Sequence, residues 1–108
     1  MAKTPEGKVK DRVVAALKDA GVYYFYPNTH GFGRSGVPDI VCCVNGLFLA
    51  IECKAGKNKP TPLQVRELEA IRRVNGVAVV VNEENWDMLP DLLRRLKATT
   101  IIMEQADA

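Results

Sequence analysis

The sequence has little of several features that would assign it to a specialised class of protein. It contains one histidine, one tryptophan and three cysteines in 108 residues, and aromatic residues make up 6% of the chain. Cys42, Cys43 and Cys53 lack the spacing of metal ligands, and their odd number argues against a disulfide framework. These shortages disfavour a zinc-binding or disulfide-stabilised secreted domain, and they favour a reducing, cytoplasmic compartment.

Long apolar runs and a strong excess of one charge are also missing. No segment is apolar over the ~20 residues that span a bilayer, and no signal-peptide pattern is present. The net charge of +2 is too small to identify a nucleic-acid-binding protein by itself. The composition is that of an ordinary globular protein. We therefore expect one domain over residues 1–108, with a flexible tail at 104–108, no membrane partner and no small-molecule cofactor.

Start and stop signals along the chain predict an α/β domain with a mixed sheet. Thr4-Pro5 and Thr61-Pro62 mark the beginnings of two helices, because threonine is a good N-cap and proline fits the first helical position. A third helix is expected within 85–98, where Pro90 lies either in a first turn or at a kink. The remaining apolar segments are predicted strands: 22–26, two arms of a hairpin around Asn45-Gly46, 77–81 and an edge strand at 99–103.

Asn45-Gly46 is the strongest hairpin signal in the sequence, because this dipeptide favours the two-residue turns that join antiparallel strands. Such a turn places Val44 opposite Leu47, and counting outward it places Asp39 opposite Glu52. Facing residues have Cβ atoms ~5 Å apart, and at an effective dielectric of about 20 two carboxylates there repel by roughly 3 kcal/mol. A shared proton, solvent or a divalent cation can relieve this repulsion.

Alternation along the two strands separates apolar from charged positions. One face carries no charge and consists of Ile40, Cys42, Val44, Leu47, Leu49, Ile51 and Cys53. The other face carries Asp39, Glu52 and Lys54 at the end away from the turn. Both faces are apolar near the turn, so we expect a central hairpin that is covered on both sides and contains inert thiols.

The charged end of the hairpin is rich in oxygen ligands, which suit a hard cation such as Mg²⁺. Lys54 would then orient an attacking water or stabilise an anionic transition state. The alternative is a solvated trio of charges that contributes little to stability. The apolar flanks favour partial burial, and idle buried charges are costly.

Pro38-Asp39, followed after twelve residues by Glu52-Cys53-Lys54, resembles the PD-(D/E)xK nuclease signature. A glutamate on the first helix, a glycine before Pro38-Asp39, the basic loop 54–59 and a glutamine soon after the lysine extend the pattern. Together they resemble the VRR-NUC family, the virus-type replication-repair nucleases, over roughly residues 6–81. The resemblance implies a restriction-endonuclease-like core, in which helices flank a mixed central β-sheet with a central hairpin.

The resemblance also implies the roles of individual residues. Asp39 and Glu52 would bind Mg²⁺ or Mn²⁺ together with the backbone carbonyl of Cys53. Lys54 would be the catalytic lysine. Glu6 would be a supporting acidic group near the metal, and Gln64 a polar residue beside the active site.

Three residues near this site keep a second interpretation. Glu6 lies in the first turn of its helix, where a carboxylate also complements the helix dipole. Gln64 follows Thr61 by three residues, which is the spacing of a capping box, and it also precedes the inward-facing Leu68 by four. The loop residue His30 is more simply explained as a surface histidine without a role than as a phosphate contact.

Stand-alone members of this family resemble Holliday-junction resolvases that act as homodimers. The resemblance therefore implies a homodimeric endonuclease for branched DNA such as four-way junctions. From their charge and position in loops, Arg34, Lys57 and Lys59 are expected to contact phosphates. The competing hypothesis is a non-catalytic nucleic-acid-binding module that uses the same residues with Arg72 and Arg73. A complete Asp–Glu–Lys set argues against a pure binder, because carboxylates repel phosphate.

Overall fold

The computed structural model describes residues 3–27 and 33–99 of the chain. Within them a four-stranded sheet is flanked by helices, as the sequence predicts. The elements in chain order are α1 (Pro5–Asp19), β1 (Tyr23–Phe25), β2 (Ile40–Val44), β3 (Leu47–Cys53), α2 (Pro62–Arg73), β4 (Val77–Val81), a 3₁₀ turn (Trp86–Met88) and α3 (Leu89–Ala98). His30, residues 100–103 of the predicted edge strand and the predicted tail at 104–108 lie outside the described ranges.

The sheet is mixed, with its strands in the order β1-β2-β3-β4. β1, β2 and β3 are antiparallel neighbours, whereas β4 runs parallel to β3 and is reached through α2. Pairing of Val44 with Leu47 and of Ile40 with Ile51 confirms the predicted hairpin register. Asn45 and Gly46 have φ values of +53° and +83°, which is the left-handed geometry that a two-residue hairpin turn requires. The next pair outward from Ile40 and Ile51 is Asp39 and Glu52.

The predicted caps define where the first two helices begin. Thr4 Oγ1 accepts a hydrogen bond of 3.0 Å from the Gly7 backbone N–H at the start of α1. Thr61 accepts from the Gln64 N–H at the start of α2, over 3.3 Å. Pro90 lies in the first turn of α3. This is the first of its two predicted positions, and the alternative of a kink is not observed. No helix in the described part of the chain is long and apolar enough to cross a bilayer.

The two faces of the sheet bury cores of different size. The uncharged face of the hairpin packs under α1 and α3, where the fully buried residues include Val9, Leu17 and Leu89. The opposite face packs under α2 in a small cluster of Val41, Ala50, Leu68 and Ala78. Helices therefore cover the centre of the sheet from both sides.

Near the turn, the hairpin is not covered on both faces, contrary to the prediction. Phe48 is 48% exposed, and its cross-strand neighbour Cys43 is exposed as well. α2 packs over Val41 and Ala50 and leaves a cavity of about 390 Å³ near the turn, lined by Phe48, Ile71 and Val74 among others. The prediction of three core thiols is therefore wrong for Cys43 and right for the buried Cys42 and Cys53.

Candidate active site

The hairpin register brings two carboxylates together at the end of the sheet away from the turn. Asp39 immediately precedes β2, and its Oδ2 accepts a hydrogen bond of 2.8 Å from the backbone N–H of Cys53. This bond fixes the Asp39 carboxylate against the last residue of β3. Glu52, the residue before Cys53, is 1% exposed. Asp39 and Glu52 thus lie together, as predicted, in a partly enclosed site with fixed side-chain contacts.

Glu52 has one oxygen in contact with polar groups and one without a partner. Its Oε1 accepts a hydrogen bond of 3.2 Å from Gln64 Nε2 and lies 4.0 Å from Lys54 Nζ. Its Oε2 is buried and has no hydrogen-bond partner. A buried carboxylate oxygen without a protein partner is costly in a folded protein, and a shared proton or a bound cation would satisfy this atom.

The environment of Glu52 raises the pKa of its carboxyl group to about 8. Burial is the main cause, followed by the hydrogen bond that a protonated Glu52 forms with Asp39 and by the charge of Asp39. The Lys54 ammonium lowers the pKa and offsets part of this effect. Proton and cation are therefore interchangeable ways of stabilising the pair.

Lys54 is held tightly for a lysine. Its side chain is 13% exposed, and its backbone N–H donates to the carbonyl of Val81 on the parallel strand β4 over 3.0 Å. The ammonium therefore projects into the same space as Glu52 and has little freedom to leave it. This is the position that the sequence predicts from alternation along β3.

Gln64 makes the contacts that both of its predicted interpretations require. Its Oε1 accepts a hydrogen bond of 2.8 Å from the Thr61 backbone N–H and completes a capping box. Its Nε2 donates to Glu52 Oε1 from the same side chain. An amide has an acceptor and a donor that point in different directions, so one residue caps α2 and contacts the carboxylate pair.

Glu6 is exposed and lies in the first turn of α1, as the dipole interpretation requires. Its charge also makes a small contribution to the raised pKa of Glu52. Lys10, four residues further along α1, lies outside the set of site residues that the sequence predicts. Its Nζ lies 4.6 Å from the centre of the Tyr26 ring, and its charge lowers the pKa of the Cys53 thiol. The one sequence feature that relates Lys10 to the site is its spacing of four residues from Glu6, because residues four apart share a helix face.

The predicted phosphate-binding residues lie on exposed loops. Lys57 and Lys59 are exposed and line a cavity of about 490 Å³ next to β4. The backbone N–H of Gly56 donates to both carboxylate oxygens of Glu83, at 3.0 and 3.3 Å, and so ties this basic loop to the residues after β4. Lys57 and Lys59 therefore lie on a loop that is anchored at Gly56.

Arg34 and Arg72, two of the arginines that the sequence assigns to nucleic acid, have partners within the protein. Arg34 is 75% exposed, and its guanidinium lies 3.5 Å from the carboxylate of Glu67, which is 14% exposed. Arg72 donates two hydrogen bonds, of 2.7 and 3.1 Å, to the carbonyl of Ala78. Arg72 thus joins α2 to β4, and its role in the structure is packing of the helix on the sheet.

The donor set at the site fits a hard divalent cation. Within residues 3–27 and 33–99, no cluster of three or more His, Cys, Asp or Glu side chains that could hold a metal is present. Asp39 and Glu52 would therefore hold an ion with the help of oxygens from the backbone, water or substrate, which is the usual coordination of Mg²⁺. The buried, unpartnered Glu52 Oε2 is the atom that such an ion would satisfy.

Comparisons with known proteins relate the chain to nucleases. No family model matches the chain. The chain is 32% identical over 82 residues to "Putative nuclease p44" of Acyrthosiphon pisum secondary endosymbiont phage 1, an alignment that covers 74% of this chain and 85% of the relative. A solved structure described as "VRR_NUC domain" superposes with a TM-score of 0.68 and 25% identity, over 85% of this chain and 97% of that structure.

The fold is thus that of the restriction-endonuclease-like nucleases, with a mixed sheet whose central hairpin carries the acidic residues. The chain belongs to the VRR-NUC family of nucleases.

Proposed function

We propose that this protein is a divalent-metal-dependent DNA endonuclease that acts as a homodimer on branched DNA such as four-way junctions. The observation that carries the metal-dependent chemistry is the Glu52 carboxylate. It is buried opposite Asp39 with one oxygen unpartnered, and the Lys54 ammonium lies beside it. A site with no chemical role would be expected to bury apolar side chains here instead.

Asp39, Glu52 and the backbone carbonyl of Cys53 would hold Mg²⁺ or Mn²⁺. When bound, such an ion supplies Lewis-acid chemistry and neutralises charge on phosphate oxygens. The chain itself contributes orientation. The Cys53 N–H holds Asp39, and the Gln64 amide holds Glu52, so neither carboxylate needs to reorganise when substrate arrives.

Lys54 is the residue best placed to act on the substrate directly. Its ammonium is confined within 4.0 Å of Glu52 Oε1 and is largely shielded from solvent. A fixed cation in such a site stabilises negative charge that develops on the phosphate during hydrolysis. Glu6 would add negative charge at the edge of the site, and Arg34, Lys57 and Lys59 would contact phosphates further along the strand.

The first test is cleavage of a labelled four-way junction with Mg²⁺ or Mn²⁺ and with EDTA. We expect Asp39→Asn, Glu52→Gln and Lys54→Met each to lower the cleavage rate by at least about a hundredfold, the usual scale for removing one group that stabilises transition-state charge. Lys18→Met, an exposed lysine near the end of α1, is the matched control and should cut normally. Cutting by the three site variants at the parental rate would refute the site. Salt-dependent binding without metal-dependent cutting on any DNA form would instead favour a non-catalytic binding module.

The second test concerns the oligomeric state and the substrate. A small catalytic core with little net charge gains reach on a branched substrate by pairing two sites. We expect light scattering at micromolar concentration to give the mass of a dimer, and we expect two symmetrically placed cuts in a four-way junction. A monomer, or equal cutting of linear duplex, would exclude this part of the proposal.

A further inference from the structure

Gly36, in the segment that leads to Asp39, lies directly against the backbone at the beginning of α2. Gly36 has a φ of +82°, and a Cβ built at this position would lie 2.7 Å from both the carbonyl carbon and the carbonyl oxygen of Leu63. The same Cβ would lie 2.9 Å from the backbone nitrogen of Gln64. Non-bonded carbon atoms pack at ~3.5–4.0 Å, so any other residue here would push the segment and the helix apart by roughly half an ångström or more.

Both sides of this contact carry a residue of the active site. Asp39 follows Gly36 by three residues, beyond the buried Pro38, and is held at its other end by the Cys53 N–H. On the helix side, the backbone nitrogen that faces Gly36 belongs to Gln64, whose amide donates to Glu52 over 3.2 Å. This hydrogen bond is already long, and a separation of half an ångström would break it.

A second contact joins the segment to the same helix. Arg34 pairs with Glu67, which lies one turn beyond Gln64 on α2. The segment is anchored independently of α2 at Asp39, which accepts a hydrogen bond from the Cys53 N–H of β3. We therefore expect an added Cβ at Gly36 to displace the helix N-terminus, where Gln64 lies, more than the anchored segment.

We propose that Gly36 is a positioning residue, which lets the segment 33–39 pack directly on the backbone of α2 and thereby sets the Gln64 amide against Glu52. The kinetic consequence of this role rests on the proposed nuclease activity. Its structural consequence, the orientation of the Gln64 side chain, does not.

The kinetic test compares glycines with the same backbone conformation and different surroundings. Gly33 and Gly46 have φ values of +84° and +83°, and a Cβ at either meets nothing within 4 Å. We expect Gly36→Ala to lower kcat about 10- to 100-fold, with KM changed less than about threefold, because misplacing a group by a fraction of an ångström costs rate more than binding. Gly33→Ala and Gly46→Ala, which carry the same backbone strain, should stay within about threefold of the parent. An equal loss in all three variants would overturn the proposal.

A double-variant cycle tests whether Gly36 acts through Gln64. If it does, Gly36→Ala combined with Gln64→Ala should cut no more than about twofold more slowly than Gln64→Ala alone, because the interaction is already lost. Two losses that multiply would refute the connection. Gly36→Asn covers the case in which the alanine variant folds poorly. Asparagine tolerates positive φ better than alanine and still carries a Cβ, so it should reproduce the same kinetic defect.

A measurement without substrate keeps the inference separate from the proposed activity. Gln64 and Gln105 are the two glutamines of the chain, so selective labelling with ¹⁵N-glutamine gives two side-chain amide groups, and Gln64→Ala identifies which is which. We expect the Gln64 amide resonances of the metal-free protein to shift in Gly36→Ala and to stay in place in Gly33→Ala. If the parent cuts no DNA, the proposed function fails and this spectrum alone decides the role of Gly36. Unchanged Gln64 resonances in Gly36→Ala would overturn it.

Discussion

At the scale of single residues, the three cysteines differ sharply despite their proximity in sequence. Cys42 and Cys43 are adjacent in β2, so their side chains point to opposite faces of the sheet. Burial raises the pKa of the Cys42 thiol to about 12, with a smaller contribution from Cys43, and burial likewise raises the pKa of Cys53 to about 12. A thiol of that pKa is a very weak nucleophile near neutral pH.

We therefore predict that a maleimide reagent at pH 7.5 modifies Cys43 alone in the native protein and all three thiols after denaturation. Peptide mass spectrometry would locate the labels. The Cys43→Ser variant should show no rapid labelling in the native state. Labelling of Cys42 as fast as Cys43 would contradict the burial of the uncharged face of the hairpin.

At the scale of elements, the first turn of α2 contains both the capping box of the helix and the amide that contacts Glu52 in the candidate active site. The two functions meet in Gln64 and can be separated by substitution. Gln64→Glu keeps the oxygen that completes the capping box, but it replaces the amide donor by a third carboxylate beside Glu52. Thr61→Ala removes the cap hydroxyl and leaves the Gln64 amide in place.

We expect Thr61→Ala to lower the free energy of unfolding by ~1 kcal/mol, the usual cost of losing an N-cap, while cleavage stays within about threefold. Gln64→Glu should do the reverse, with an intact helix and a cleavage rate at least about tenfold lower, because a like charge beside Glu52 opposes the ionised pair. Urea denaturation and junction cleavage, measured on both variants, check the two expectations. Similar behaviour of the two variants would mean that the cap and the site contact are not separable.

What the sequence predicts correctly at this scale is local. A two-residue turn and strict alternation determine that Asp39 faces Glu52 and that Lys54 shares their side of the hairpin, so counting from Asn45-Gly46 is sufficient. The exposure of Cys43 and Phe48 depends on how much of the sheet α2 covers, and that is a property of tertiary packing. The contact of Gly36 with Leu63 joins segments distant in sequence, and no periodic pattern encodes it. The sequence predicts Gln64 only in part, since its spacing is compatible with both a capping residue and a contact at the site and does not distinguish between them.

At the scale of the whole molecule, the raised pKa of Glu52 links folding to pH. The unfolded chain releases this proton near the ordinary value of 4.5, and the folded protein releases it near 8. Between these values the folded state binds more protons than the unfolded state, so stability falls as pH rises, and it levels off above pH 8. The total loss is on the order of 5 kcal/mol, a large share of the ~5–15 kcal/mol that stabilises a typical domain.

We predict that the metal-free protein is less stable to urea at pH 8.5 than at pH 6, and that Glu52→Gln removes most of this difference. Glu69→Gln, an exposed residue on α2, is the control and should retain it. Millimolar Mg²⁺ or Mn²⁺ should restore stability at pH 8.5 in the parent and not in Glu52→Gln, because a ligand of the folded state stabilises it by mass action. The same pH dependence in Glu52→Gln and the parent would assign the effect to another group.

The order of the strands also bears on how the protein folds. The β2–β3 hairpin closes through two residues, whereas the parallel pairing of β3 with β4 must wait for the α2 crossover. We therefore expect Asp39 and Glu52 to meet first in a solvated hairpin, where water screens their repulsion to ~1 kcal/mol. The larger cost arises only when α2 docks and buries Glu52. Charge on Glu52 is thus expected to leave the early folding barrier almost unchanged and to accelerate unfolding instead, so that a bound cation would lengthen the lifetime of the native state.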